Sequence, residues 1–193
     1  MKRFDEKPLS WSAISSFLYD PEQWYAKYVL CIEQASNASM DLGKEIGALL
    51  ASDPTFLPSV PRHSYFEYEL SAKLGERDLI GYIDSYEPHT DLLEYKTGKK
   101  AWNQRRVDEH GQLTLYALLL NLMHKVKPED IRFRLVWLPT QENGDFSISL
   151  KNTDPVIFET TRTMRDILLF GAYVHNVYGQ MEECAKQHTG TVG

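Results

Sequence analysis

From Phe66 to Thr97 the sequence alternates apolar and polar residues at a period of two, and two turn signals cut that pattern into three. Residues 66–74, 78–86 and 92–97 read as strands. Gly75-Glu76-Arg77 and Pro88-His89-Thr90-Asp91 read as the turns between them. Connections this short allow only antiparallel neighbours, so the stretch predicts a three-strand meander. A sheet with one apolar face must be covered, and helical spacing on both sides of the meander supplies the cover.

Upstream, residues 12–19 predict a short helix. Asp20-Pro21-Glu22-Gln23 predicts the start of the next one, with Asp20 as N-cap, Pro21 in the first turn and Trp24, Tyr25, Tyr28 and Val29 on its apolar face. A helix over 42–51 ends at Asp53-Pro54. Downstream, the leucine-rich stretch 107–125 predicts a helix stopped near Pro128. Residues 132–138 read as a strand, and Asn143-Gly144 as a hairpin turn into a strand over 146–150. A long helix is expected from 155 to 187, with Ile157, Met164, Leu168 and Val174 on its apolar face and a frayed tail over 188–193. This order predicts an α/β fold: a mixed sheet containing an antiparallel three-strand meander, flanked by helices.

A chain of 193 residues suits a single domain, expected here over 1–193 with its core in 9–187. No apolar run reaches the roughly 20 residues of a membrane-spanning helix, and Met1 to Lys7 lacks the apolar stretch of a secretory signal. Cys31 and Cys184 are too few for a disulfide framework, a cysteine-rich zinc site or a four-cysteine iron–sulfur cluster, and a cytoplasmic protein is expected. The six histidines have no ligand spacing for zinc. The net charge of -6 argues against a protein that coats nucleic acid. It conceals a local excess, because Lys96, Lys99, Lys100, Arg105 and Arg106 place five positive charges and no negative one within eleven residues.

The chemistry concentrates around that strip. In a strand, Glu94 and Lys96 project from one face, and Asp84 lies near the end of the preceding strand across the Pro88 turn. One face of the ribbon is thus expected to carry two carboxylates and an ammonium. Two such acids repel, and a divalent cation relieves that cost. Oxygen donors favour Mg²⁺ or Mn²⁺, with the backbone carbonyl of Tyr95 as a further ligand. A lysine beside the ion can orient a water and stabilise charge on a phosphate. The same triad is also what an ordinary cross-strand ion pair looks like. Trp102 offers a stacking surface within the basic strip. Gln112 and Tyr116 share one helical face directly after it.

Gly81-x-Ile83-Asp84, then Glu94-Tyr95-Lys96-Thr97-Gly98-Lys99, then Gln112-Leu113-x-x-Tyr116 resembles the PD-(D/E)XK nuclease superfamily. The likeness is to its RecB-like branch of recombination and CRISPR-adaptation exonucleases. Leu9-Ser10-x-Ser12-x-Ile14-x-x-Phe17 and Asp20-Pro21-x-x-Trp24-Tyr25 resemble the opening helices of that branch. The resemblance covers residues 9 to 120. It implies a restriction-endonuclease-like core and a metal-dependent, exonuclease-like DNA hydrolase. Asp84 and Glu94 are implied as metal ligands, Lys96 as the catalytic lysine, and Gln112 and Tyr116 as DNA contacts or supports of the site. Lys99, Lys100, Trp102, Arg105 and Arg106 are then expected along the DNA. Asp20 stands where cluster-bearing members carry a cysteine, so no iron–sulfur cluster is expected. Gly47 stands where the branch usually has a histidine ligand; Glu45 and Glu69 are the nearby acids that remain as candidate ligands, Glu45 being about 200° around its helix from position 47. The alternative is a DNA-binding or assembly module of the same fold that has lost cleavage; an unrelated α/β binding protein is the third reading.

Overall fold

A computed structural model of the chain describes residues 7–33, 35–145 and 147–189. Its elements run β1 (Leu9–Ser10), α1 (Trp11–Tyr19), α2 (Pro21–Trp24), a π-helical turn (Tyr25–Val29), α3 (Ala38–Ser52), β2 (Tyr65–Leu74), β3 (Arg77–Glu87) and β4 (Asp91–Gly98). They continue with α4 (Gln104–Asp108), α5 (Gly111–His124), a 3-10 turn (Pro128–Asp130), β5 (Arg132–Glu142), β6 (Ile148–Leu150), β7 (Val156–Thr160) and α6 (Met164–Thr189). Residues 1–6, read above for a secretory signal, Phe146 of the expected hairpin strand and 190–193 of the expected tail lie outside the described residues. Among the described residues no helix is long and apolar enough to cross a membrane.

The meander forms with β2, β3 and β4 antiparallel in sequence order. β4 then runs parallel to β5, and α4 and α5 form the crossover between them. β7 pairs antiparallel with β5, and the two-residue β1 lies parallel to β3, so the sheet is mixed, as expected. Each face has its own core. On one, Leu70, Leu79, Ile83, Leu92 and Phe133 pack with α1, α5 and α6. α5 is buried along its length from Leu113 to Leu120, because sheet and helices enclose it. On the other face a smaller core joins Ile46 and Leu50 of α3 to Leu93, Val136 and Leu138.

Local chemistry sets the helix starts. The Asp20 carboxylate accepts from the Glu22 and Gln23 backbone N–H groups at 3.0 Å, capping α2 as its sequence predicts. Asn37 caps α3 by accepting from the N–H of Met40.

Three expectations are corrected. The helix expected over 107–125 is two, broken at Glu109 and His110. The break is held from a distance: the buried Arg162 guanidinium donates to the carbonyls of Val107 and His110 and to the Thr114 hydroxyl. The helix expected from 155 begins at Met164, because Val156-Ile157-Phe158 are β-branched and aromatic residues that pair with β5 instead. Thr163 and Asp166 start α6 reciprocally, the Asp166 carboxylate accepting from the Thr163 N–H at 2.7 Å and the Thr163 hydroxyl from the Asp166 N–H at 3.2 Å. That helix continues through His188, which was expected in the frayed tail.

At the α4–α5 junction the His110 ring stands 6.4 Å from Trp11 and 5.1 Å from Trp102. Burial, then the positive charges of Lys96, Arg162 and Arg106, push its pKa down to about 3. The indole of Trp11 also covers Gly111, where an added Cβ would lie 2.1 Å from the ring.

Two outcomes follow from this junction. Gly111→Ala should lower unfolding stability by about 1–3 kcal/mol in denaturant titration, despite alanine's better helix propensity, because the indole has to move. An unfolded imidazole gains its proton near pH 6.5 and the folded one near 3, so between those values the unfolded state binds more protons and stability falls on acidification. His110→Phe should remove about 1.4 kcal/mol per pH unit from the slope of stability against pH in that window.

Candidate active site

β3 and β4 are hydrogen-bonded only from Ser85 to Glu87 against Asp91 to Leu93, and beyond that they part. The separation frees backbone groups on β4 that a continuous ladder would use. Asp84, the first residue of β3 inside the fork, fills the gap: its Oδ2 accepts from the Tyr95 N–H at 2.7 Å. The partner strand bends at the same level. Glu67 of β2 lies between the pairs Phe66↔Ser85 and Tyr68↔Ile83 and has a left-handed φ of 47°, rare for a side chain this size. As a result Phe66 packs into the α3 core and Tyr68 into the α5 core, although alternation would put both on one face.

Glu94 is 2 % exposed, and both of its carboxylate oxygens are answered. Lys96 Nζ stands 2.5 Å from Oε1, and the Tyr116 hydroxyl 3.0 Å from Oε2. From α5, Gln112 joins these two groups: its Oε1 accepts from Lys96 at 2.9 Å and its Nε2 donates to the Tyr116 hydroxyl at 2.6 Å. With that hydroxyl accepting from Gln112, its own proton is left for Glu94 or for the Tyr82 carbonyl, which lies equally within reach. Gly81 permits this approach, since a Cβ there would sit 3.0 Å from the Tyr116 ring.

The charges respond to one another. Burial, and then the charge of Glu94, hold the Asp84 carboxyl well above the ordinary carboxylate range. Burial alone would lower Lys96, but the charge and hydrogen bond of Glu94, with the charge of Asp84, outweigh it and leave the ammonium above its usual value. Burial, Glu94 and Asp84 keep the Tyr116 phenol protonated far into the alkaline range, so it remains a donor. Among the described residues, the Lys96 ammonium is the cation paired with the buried Glu94 carboxylate.

Asp84, Tyr95 and Lys96 open into a groove of about 690 Å³ between the sheet and α3. Glu94 is not among the lining residues; it is buried and joined to the groove through its pair with Lys96. Glu67, which the sequence reading passed over, lines the groove, and its charge acts on Asp84. Its one signal in the sequence is its position opposite Asp84 in the meander register. Of the candidate further ligands, Glu69 instead hydrogen-bonds Tyr82, and Glu45 is not among the groove-lining residues of α3. A Cβ at Gly47 would meet nothing within 4 Å, so the position of the usual histidine is open space. Among the described residues no three His, Cys, Asp or Glu side chains converge as a metal cage. What the site offers is a carboxylate pair and the neighbouring Tyr95 carbonyl.

The basic strip is more engaged than its sequence suggests. Lys99 pairs with Glu142, Arg105 with Glu109 at 3.0 Å, and the Arg106 guanidinium lies 3.8 Å over the Trp102 ring. Trp102 itself packs partly into the α5 core, while Lys100 is exposed. A larger cleft of about 910 Å³, beside Trp11 and Tyr173, is lined by no residue of the basic strip and is edged by Asp108, Glu109, Glu159 and Asp166.

No curated protein matches the chain. Among solved structures, the alkaline exonuclease LHK-Exo from Laribacter hongkongensis is similar at 11% identity with a TM-score of 0.48, over 96% of this chain and 95% of that one. LHK-Exo in complex with dAMP gives 11% and 0.49 over the same shares. A protein of Eubacterium rectale, provisionally named an exonuclease, gives 14% and 0.42 over 100% of this chain and 70% of its own. The family model of the PD-(D/E)XK nuclease superfamily matches residues 54–187, which include the meander, the fork and the Gln112–Tyr116 helix. With well over half of its length inside that match, the chain belongs to the PD-(D/E)XK nuclease superfamily.

Proposed function

We propose that this protein is a metal-dependent deoxyribonuclease that hydrolyses phosphodiester bonds, working from DNA ends as the branch its motifs resemble does. One observation carries the reading: the buried Glu94 and the fork residue Asp84 form a coupled carboxylate pair whose charge Lys96 balances at the mouth of a groove. A buried acid pair is costly to maintain for stability alone. The donor set fits a hard divalent ion, Mg²⁺ or Mn²⁺, which Asp84, Glu94 and the Tyr95 carbonyl would hold. Such an ion lowers the pKa of bound water and polarises the phosphoryl oxygens.

The chain's own residues do the rest. Lys96, which already lines the groove, exchanges its contact with the Glu94 oxygen for the substrate, where its ammonium orients the attacking water and faces the charge growing on the phosphate. Gln112 accepts from the lysine and fixes its direction. Tyr116 holds the second Glu94 oxygen, so the carboxylate keeps its angle when the lysine moves. Lys100, which is exposed, and Arg106, whose charge acts on Lys96, contact the DNA backbone on this reading, giving binding that weakens with salt and ignores sequence.

Linear and circular DNA, single- and double-stranded, should be incubated in Mg²⁺, Mn²⁺ or EDTA. Cleavage of linear DNA that requires the metal and falls by about 10²–10⁴-fold in Glu94→Ala and Lys96→Ala supports the reading. Binding without cleavage in any metal would instead support the module that has lost catalysis, for which open space at Gly47 is the argument. Stability offers a second check. Because Asp84 is raised in the folded protein, its ionisation opposes folding increasingly as pH rises above the ordinary carboxylate value of about 3.9. Metal-free Asp84→Asn should therefore melt higher than the wild type at pH 7, and lose the rise in Tm that Mn²⁺ gives the wild type.

A further inference from the structure

The wall of the groove opposite the carboxylates is one face of α3. Met40, Gly43, Lys44, Gly47, Ala48 and Ala51 line it, at the spacing of a single helical stripe. No acid and no histidine lies on that stripe. Its small residues bring the helix close: a Cβ at Gly43 would stand 3.0 Å from the Thr97 hydroxyl of β4. At Gly47 the same face leaves a hollow. The one charged group α3 contributes to the groove is therefore the ammonium of Lys44, which shares the cavity with Asp84 and Lys96.

A phosphodiester entering the groove meets Asp84 and Glu67, whose negative charges repel it. One divalent ion on Asp84 and Glu94 offsets two carboxylates, and Lys96 offsets one of the two charges that remain on Glu67 and the phosphate, which leaves one negative charge unbalanced. A second ion would need further ligands; the α3 wall has none, and Glu67 is the one carboxylate left in the groove lining to hold it. A cation on that wall does the same electrostatic work without ligands, and a lysine suits it, since its ammonium acts as a point charge on a flexible stem.

We propose that Lys44 is a substrate-binding residue that contacts a DNA phosphate from α3, in a site that operates with a single divalent ion. This rests on the nuclease reading above and goes beyond it in assigning both the metal count and the role of α3. Glu45, next in sequence but outside the groove, has no part in it.

Two measurements on the full chain test this. The first is Mn²⁺ binding followed by electron paramagnetic resonance, on the wild type and Lys44→Ala. One ion per chain is expected in both; two ions per wild-type chain overturns the proposal. The second is fluorescence anisotropy of a labelled 20-base-pair duplex with Ca²⁺ across a range of salt. Lys44→Ala should weaken binding and make the slope of log affinity against log salt shallower by about 0.9, the signature of one lost phosphate contact. Lys44→Arg should restore the slope, and Glu45→Ala should leave it as in the wild type. One bound Mn²⁺ with an unchanged slope in Lys44→Ala refutes the lysine's role while leaving the nuclease reading standing. A wild type that binds neither Mn²⁺ nor duplex removes both.

Discussion

A carboxylate under a sheet, 2 % exposed, is tolerable only if its charge is answered where it sits. Glu94 imposes that demand, and much of the surrounding structure is organised by the response. Lys96 answers from the same strand, two residues on. Tyr116 answers from α5, and Gln112 ties the two replies together. α5 must then lie tightly on β3, which Gly81 allows, and its first turn must start where Arg162 and Trp11 hold it. The chain from buried charge to helix placement runs through a handful of contacts, so the polar cluster also serves as a register pin between helix and sheet.

The fork between β3 and β4 gives that cluster its outlet. A continuous ladder would have used the Tyr95 N–H and left Asp84 as one more polar side chain on a strand. Parting the strands turns the carboxylate toward β4 and opens the groove beside it. Glu67 bends β2 at the same level, at the expense of an unfavourable backbone conformation. Ladder, fork and bend occupy one level of the sheet, which is why carboxylates on neighbouring strands come within each other's field there.

The strands were legible because alternation and turn residues are local properties, and Asp84, Glu94, Lys96, Gln112 and Tyr116 because their spacing within strand and helix fixes which way they face. What stayed hidden depended on distant partners. The α4–α5 break is stabilised by Arg162, about fifty residues downstream, and Lys99 is neutralised by Glu142 from β5. β7 resembled the start of a helix because its apolar residues adjoin a genuine helical stripe, and only pairing with β5 separates the two. Glu67, marked in the sequence only by its register opposite Asp84, and Lys44, not marked at all, are harder to find for a different reason: one enters the site through a left-handed backbone angle, the other through the way α3 is laid across the sheet.

The two faces of the sheet are unequal. The face behind Glu94 is packed by α1, α5 and α6, while α3 rests on the smaller cluster around Ile46, Leu50 and Leu93. Local opening follows the amount of apolar surface that holds an element down. α3 is therefore the side of the groove that can lift at least cost, and the carboxylates are on the side that cannot. The fold thus separates adjustability from chemistry: one wall can yield to a helix of variable width while the other keeps its charges in place.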